Sequence, residues 1–213
     1  LKRVFLELGG KSPNIVFPDA DIDKAASAAA LAVYYNGGQT CTAGTRLIVQ
    51  ESIHDEFVEK VVAAAQGWAP GNPLDPDTAM GPMVDAGQCK TVCDYVEIGN
   101  NEGARLVTGG SSVMEETGGF YHQPTIFAGV NNQMRIAQEE IFGPVLSIIP
   151  FETEEEAVAI ANDTPYGLTN YVQTQDDDLR RRVARRLRSG MVETNGVGFA
   201  QGSPFGGYKQ SGN

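Results

Sequence analysis

The stretch NIVFPDADIDKAASAAALAVYYNGGQTCTAGTRLIVQ, residues 14–50, holds a strand pattern, a helix pattern and a second strand pattern in succession. The runs NIVF and RLIVQ are short, apolar and rich in β-branched residues, which predicts strands over 14–17 and 46–50. Between them, Asp21 stands where it can cap an alanine-rich helix over 21–36. A strand, a helix and a strand in this order indicate an α/β fold.

The rest of the chain repeats this alternation. Further strands are predicted at 3–8, 104–110, 145–151, 170–174 and 190–195. Further helices are predicted at 52–68, 153–162 and 176–190, and a capping box from Thr153 to Glu156 opens the second of them. Alternating helices and strands imply a three-layer α/β/α arrangement around a mostly parallel sheet. Because the sequence shows no repeat and no low-complexity linker, one domain is predicted over 1–213.

The composition argues against several classes of protein. Of the 213 residues, 41% are hydrophobic and 20% are charged, which suits a folded chain with a sizeable core. The net charge of −11 would repel a phosphate backbone, so nucleic acid is not an expected partner. No window is apolar for long enough to span a membrane, and the first ten residues lack the features of a signal peptide. Three irregularly placed cysteines do not suggest a disulfide framework, so a cytoplasmic setting is favoured.

Three local patterns suggest other chemistry and are set aside. GGKS at 9–12 resembles the end of a P-loop, but Phe5 stands where that motif requires glycine. Cys89 and Cys93 are four apart on a predicted helix, yet no second cysteine pair exists and both histidines are distant in sequence. They are therefore interpreted as small core or surface residues, and no metal site is predicted. The arginine-rich run at 180–188 is interpreted as a solvated helix face balanced by the acidic residues before it.

Cys41 is the candidate nucleophile. A cysteine taken alone is more often a buried packing residue. Here it lies in NGGQTCTAG, between a predicted helix and a predicted strand, where backbone N–H groups can stabilise a thiolate and later an oxyanion. The candidate general base is Glu7 in LELGGKSP, because its leucine neighbours and the two glycines suit a partly desolvated carboxylate at a strand end.

Five sequence blocks occur in order along the chain: LELGGKSPNIVF, NGGQTCTAG, EEIFGPV, NDTPYGL and PFGGYKQSG. Together they resemble the signature blocks of the NAD(P)-dependent aldehyde dehydrogenase superfamily. The resemblance implies an oxidoreductase that converts a small-molecule aldehyde to a carboxylic acid with NAD or NADP, NAD being the preferred assignment. It also implies that Cys41 forms a thiohemiacetal and then a thioester with the substrate, and that Glu7 activates the water that releases the acid.

The same resemblance assigns cofactor and substrate contacts. It implies that Glu140 holds the nicotinamide ribose and that Phe142 packs beside it. It further implies that Leu8 and Gln88 lie close to the cofactor. The walls of an aldehyde tunnel are implied to include Thr40, Thr42, Phe199 and Phe205, together with the segment 195–201.

Members of that superfamily also carry parts that are not expected within residues 1–213. An N-terminal dinucleotide-binding domain and a C-terminal oligomerisation segment are expected to be absent, so 1–213 is expected to be the catalytic domain, weakly active or inactive alone. The full-length parent is expected to be a homo-oligomer. Two alternatives stay open: a cofactor-independent thiol esterase or acyl-transfer domain, and a non-catalytic assembly domain of the same fold. A non-catalytic domain would be free to lose Cys41 or Glu7, and both are present.

Overall fold

The chain forms an α/β domain in a computed structural model that describes residue 2, residues 4–198 and residues 202–212. Its strands are β1 (Pro13–Val16), β2 (Arg46–Gln50), β3 (Arg105–Thr108), β4 (Ser112–Val113), β5 (Tyr121–His122), β6 (Thr125–Ala128), β7 (Val145–Phe151), β8 (Thr169–Gln173) and β9 (Met191–Thr194). Its helices are α1 (Ile22–Tyr34), α2 (His54–Ala65), α3 (Ala86–Asn101), α4 (Arg135–Gln138), α5 (Glu154–Asn162) and α6 (Asp177–Ala184).

Seven strands form one mostly parallel sheet in the order β3-β6-β7-β2-β1-β8-β9. Among the strands that the structure describes in this sheet, β3 alone runs antiparallel, against β6, while β4 and β5 form a separate two-stranded ribbon. Residues 14–50 supply the centre of the sheet, because β1 pairs with β2 on one side and β8 on the other. The predicted α/β fold with a mostly parallel sheet is confirmed.

Helices cover both faces of this sheet. On one face, α1 and α2 pack against strand residues that include Val16 and Leu47. On the other face, α5 and α6 pack against Ile15 and Ile48, the alternate residues of the same two strands. None of the helices described is both long and apolar enough to cross a membrane.

The prediction of a strand over 3–8 is wrong for the part of it that the structure describes. Residues 4–8 are in no strand and are exposed. A β-rich sequence forms a strand only where a second strand can share its backbone hydrogen bonds, and among the described residues none lies beside this segment. The short strands β4, β5 and β6 were not predicted, because two to four residues carry too little periodicity.

The arginine-rich run is helical only in its first part, because α6 ends at Ala184 and not at the predicted residue 190, and its main acidic partner is on another helix. Arg182 and Arg186 both pair with Glu154 at the start of α5, with nitrogen-to-oxygen distances of 2.7 and 3.1 Å. Of the acidic residues expected to balance the run, Asp177 pairs with Arg180 at 2.8 Å, while Asp176 caps α6 by accepting hydrogen bonds from two backbone N–H groups. The run therefore joins two surface helices.

Candidate active site

Four of the five sequence blocks come directly before strands of the parallel sheet. LELGG precedes β1, NGGQTC precedes β2, EEIFGP precedes β7 and NDTPYGL precedes β8. These four strands are adjacent and parallel, so the segments that enter them meet at one edge of the sheet. Residues 130 positions apart in sequence come into contact there, as the Gly10 to Glu140 hydrogen bond shows.

Cys41 lies in the loop that leads from α1 into β2 and is half-buried. The loop begins with three left-handed residues, Asn36, Gly37 and Gly38, with φ of 54°, 65° and 72°, which reverse the chain after the helix. A backbone hydrogen bond of 3.0 Å from Ala43 to Thr40 then closes a turn around Cys41. The candidate nucleophile is therefore held on a hydrogen-bonded turn.

Glycines let the blocks approach one another at backbone distance. A Cβ atom on Gly10 would overlap the carbonyl oxygen of Cys41, and one on Gly9 would overlap the carboxylate of Glu140. Gly38 likewise leaves no room for a side chain, because the carbonyl of Gly143 occupies that space. The glycines of LELGG and NGGQTC thus set the position of the Cys41 backbone relative to Glu140.

Replacing Gly10 with alanine is expected to displace the Cys41 turn and to lower the free energy of unfolding by about 1–3 kcal/mol. The overlap is with backbone atoms, so no side-chain rotation relieves it. The rate of Cys41 alkylation by iodoacetamide and the urea midpoint would report the change. Gly67→Ala is the control, because a Cβ there meets nothing within 4 Å. Unchanged alkylation in Gly10→Ala would contradict this account of the turn.

Glu140 is half-buried beside Cys41. Its Oε1 atom accepts a hydrogen bond of 3.1 Å from the backbone N–H of Gly10. Burial raises the pKa of Glu140, while that hydrogen bond and the charge of Lys11 oppose the increase. This carboxylate offers oxygen acceptors at the same edge of the sheet as the thiol.

The surroundings of the Cys41 thiol raise its pKa. Burial raises its pKa above the ordinary value, and the carboxylates of Glu140 and Glu7 raise it further. The backbone N–H groups of Cys41 and Thr42 lower the pKa, as the glycine-containing turn suggested, but they do not outweigh burial. The turn supplies hydrogen-bond donors for negative charge, while burial and the two carboxylates oppose that charge on the sulfur.

Glu140→Gln is expected to shift the pH profile of Cys41 alkylation to lower pH. Removing a negative charge near a thiol favours the thiolate, so the pKa of Cys41 falls. The second-order rate constant with iodoacetamide, measured from pH 6 to 10, gives that pKa. Glu139→Gln is the matched control, because Glu139 is paired with Arg135 and Tyr95. A profile unchanged in Glu140→Gln would show that the two groups do not interact.

Glu7 is exposed in the structure, which corrects the expectation of a partly desolvated carboxylate. The cause is the missing strand, since residues 4–8 have no neighbouring strand among the described residues to bury them. Its charge nevertheless contributes to the raised pKa of Cys41, so the carboxylate lies within electrostatic range of the thiol.

A side chain of α3 holds the loop after Glu140 through hydrogen bonds to its backbone. The side-chain amide of Gln88 donates to the backbone carbonyls of Ile141 and Phe142 at 2.8 and 2.9 Å. Phe142 has a φ of 55°, a strained value for a residue with a side chain, and its ring is partly exposed. Gln88 therefore supports the candidate cofactor loop, while Phe142 and the partly exposed Leu8 present apolar surface.

The proposed tunnel residues are described in part. Thr40 and Thr42 are half-buried on either side of Cys41, and Phe205 is partly exposed. Phe199 lies outside the described residues. Tyr171, which the sequence reasoning missed, donates a 2.8 Å hydrogen bond from its hydroxyl to the carbonyl of Thr42 and so fixes the residue that follows the nucleophile.

Ser211 joins three of the blocks and was also missed. Its hydroxyl donates to the carbonyl of Gly9 at 2.6 Å and accepts from the N–H of Gly167 at 3.0 Å. Ser211 is completely buried. The only sequence signal was its place in PFGGYKQSG, where serine after lysine and glutamine reads as an ordinary polar loop residue.

Lys11 is a buried lysine next to the site. Only 1% of it is exposed, and its Nζ atom has no hydrogen-bond partner in the described part of the chain. Burial lowers its pKa to about 7, the charge of Arg46 lowers it as well, and Glu140 and Glu139 oppose them. Close to neutral pH, this amine is poised between its charged and neutral forms.

The free energy of unfolding is therefore expected to rise with pH between about pH 7 and pH 10.5, because of Lys11. Between about pH 7 and pH 10.5 the unfolded chain keeps the lysine proton that the folded chain has lost. Unfolding then takes up a proton, so the free energy of unfolding increases by up to about 1.4 kcal/mol per pH unit. Urea unfolding of the chain and of Lys11→Met across this window would isolate the contribution. Identical slopes in the two proteins would contradict the assignment.

Comparison with known proteins gives one family. Residues 1–213 match the sequence profile of the "Aldehyde dehydrogenase family". The chain is 49% identical, over its whole length, to 42% of the aldehyde dehydrogenase family 2 member C4 of Arabidopsis thaliana. It is 57% identical, with a TM-score of 0.97, to 43% of the aldehyde dehydrogenase KauB of Pseudomonas aeruginosa. It is 56% identical, with a TM-score of 0.98, to 43% of a mutant P. syringae indole-3-acetaldehyde dehydrogenase solved with NAD+ and IAA. All of this chain aligns with each of the two structures. The chain spans less than half the length of each relative.

Proposed function

Because the chain belongs to the aldehyde dehydrogenase family, we propose that it is the catalytic domain of an enzyme that oxidises an aldehyde to a carboxylic acid with NAD(P). The observation that supports this most directly is the meeting of Cys41, Glu140 and the LELGG glycines at one edge of the sheet. Since the chain spans about 42% of its relatives, the dinucleotide-binding and oligomerisation parts are proposed to lie in other segments of the full-length protein.

Cys41 is proposed to attack the carbonyl carbon of the aldehyde. Its sulfur forms the new carbon–sulfur bond, and the carbonyl oxygen becomes the oxyanion of a thiohemiacetal. The backbone N–H of Cys41, which lowers the pKa of the thiol, is the proposed donor for that oxyanion. The thiol proton is released to water as the carbon–sulfur bond forms.

Glu7 is proposed to activate the hydrolytic water that releases the acid. Its carboxylate is exposed, so water reaches it without displacing packed side chains. Deprotonated water attacks the thioester carbon, the carbon–sulfur bond breaks, and Cys41 is regenerated as the carboxylic acid leaves.

The residues at the site fit a nicotinamide cofactor. The carboxylate of Glu140 can accept hydrogen bonds from the ribose hydroxyl groups. Phe142 and Leu8 present partly exposed apolar surface. Gln88 would hold the loop that carries Glu140 and Phe142. When bound, the cofactor supplies the two-electron oxidant that the conversion of an aldehyde to an acid requires. NAD is the preferred assignment, and the P. syringae relative was solved with NAD+.

The cellular setting and assembly are part of the same proposal. All three cysteines are free thiols, which suits the reducing cytoplasm. The full-length protein is proposed to be a homo-oligomer, which light scattering of that protein would measure.

The test is to trap the acyl enzyme. The full-length protein with Glu7→Gln is mixed with an aliphatic aldehyde and NAD+, quenched in acid and analysed by peptide mass mapping. We expect a burst of NADH equal to the enzyme concentration and an acyl group on Cys41. Steady NADH formation without that adduct would overturn the mechanism. Ester cleavage by the 213-residue chain, with no aldehyde oxidation by the full-length protein, would instead favour a thiol esterase.

A further inference from the structure

Two cysteines away from the Cys41 turn lie together on one face of α3. Cys89 and Cys93 are one helical turn apart, which places their side chains on the same face. Their sulfur atoms lie 3.6 and 3.3 Å from a single atom, the hydroxyl oxygen of Ser112 on β4. One hydroxyl group thus lies in contact with both thiols, which brings the two sulfurs close together.

The pair combines one accessible thiol with one protected thiol. Cys93 is half-buried, whereas Cys89 is buried in an apolar cluster with Val92 and Ile141. Burial raises the pKa of Cys89, and the neighbouring Cys93 thiol contributes to the increase. Both sulfurs are therefore reduced and close together, and one of them is reachable from solvent.

The surroundings select the kind of ligand. Among residues 2, 4–198 and 202–212, no group of three or more His, Cys, Asp or Glu side chains could hold a metal ion. A tetrahedral zinc site needs four ligands, so it is not satisfied here. Soft acceptors prefer thiolate sulfur, and an organic trivalent arsenical needs only two sulfurs to complete its bonds. A helix does not bring side chains four residues apart to the Cβ separation of a disulfide, so a bridging atom suits the pair better than a direct bond.

We propose that Cys89 and Cys93 form a dithiol site that captures trivalent arsenicals. An organoarsine oxide, R–As=O, reacts with two S–H groups to give R–As(S)2 and one molecule of water. Two arsenic–sulfur bonds form, the arsenic–oxygen bonds break, and both thiol protons leave on the oxygen. Nothing is oxidised or reduced. Cys93 makes the first bond because it is accessible, and Cys89 closes the chelate.

The experiment uses phenylarsine oxide with the purified 213-residue chain. After an excess of 2-mercaptoethanol removes arsenic held by a single thiol, native mass spectrometry counts the phenylarsenic retained. We expect one per chain, with Cys89 and Cys93 protected from iodoacetamide and Cys41 still alkylated. Peptide mapping of the unsubstituted chain makes this test independent of any variant. Protection of Cys41 alone, or no retained arsenic, would overturn the proposal.

Variants measure the contribution of the second sulfur. Cys89→Ser and Cys93→Ser should each weaken retention about 100-fold, because either change leaves a single attachment. Cys41→Ala and Ser112→Ala are the matched controls and should retain arsenic as the unsubstituted chain does, since both sulfurs remain. Full retention in either serine variant would show that the arsenical does not bridge the pair. The assay does not involve aldehyde oxidation, so its outcome is independent of the proposed function.

Discussion

Cys41→Ala in the full-length protein is expected to lower the rate of aldehyde oxidation by about 10⁴-fold or more. Without the sulfur no covalent adduct forms, and neither of the other cysteines can replace it. Cys89 and Cys93 lie on α3, where their sulfurs contact Ser112. The backbone donors of the Cys41 turn would remain, so the variant should still fold and bind cofactor. NADH formation under saturating aldehyde and cofactor measures the loss.

Cys93→Ala is the control for that experiment. It removes a half-buried thiol of the same chain and should leave the rate within about twofold, because Cys93 is outside the proposed mechanism. Thermal unfolding of both variants separates loss of chemistry from loss of structure. A Cys41→Ala protein that keeps a tenth or more of the rate would rule out a cysteine adduct as the route to the acid.

The fold was predictable because its central strands have unambiguous sequence patterns. Strands β1, β2 and β7 are short apolar runs rich in β-branched residues, and they are buried on both faces. The helix before Cys41 has a clear cap at Asp21, which the structure retains. Family membership, inferred from five blocks in order, is confirmed by the match over 1–213.

The electrostatic state of the site was not predictable in the same way. A sequence shows which groups are near one another in the chain, whereas a pKa depends on burial and on charges that the fold brings together. Cys41 has its pKa raised mainly by burial and then by Glu140, a residue 99 positions away in the sequence. Glu7 was expected to be partly buried, but its burial depended on a strand that does not form among the described residues.

Glycine contacts were missed for a related reason. Gly9, Gly10 and Gly38 are visible in the sequence, but the atoms that exclude a side chain at each position belong to other blocks. Only the parallel sheet shows that these blocks meet at one edge. The blocks therefore form one structural unit. Close contacts between these glycines and atoms of the other blocks, which a side chain would prevent, set the position of the nucleophile.

Arg46 is the buried charge that the sequence reasoning did not identify. It begins the strand RLIVQ, where a charged first residue suggests an exposed strand end. Instead it is completely buried, and burial lowers its pKa to about 10. Its guanidinium group makes four hydrogen bonds, to the carbonyls of Lys11, Ile160 and Ala161 and to the side chain of Asn132, at 2.8 to 3.0 Å.

Arg46→Met is expected to lower the free energy of unfolding by about 3–5 kcal/mol. Methionine keeps much of the aliphatic volume but donates no hydrogen bond, so four buried oxygen acceptors lose a donor. Two of those acceptors, in Ile160 and Ala161, are carbonyls in the last turn of α5, where a positive charge also favours the helix dipole. The loss should therefore loosen the packing of α5 against the β1 side of the sheet as well as reduce overall stability. Urea unfolding followed by circular dichroism gives the magnitude.

Two further variants make the Arg46 result interpretable. Arg185→Met removes an exposed arginine and should change stability by less than about 0.5 kcal/mol. Arg46→Lys keeps the charge but not the planar set of donors, so it should fall between the parent and Arg46→Met, and it remains measurable if Arg46→Met does not fold. If Arg46→Met lowers the free energy of unfolding by less than about 1 kcal/mol, other donors satisfy these acceptors. In that case the buried guanidinium would not be what joins β2 to the end of α5.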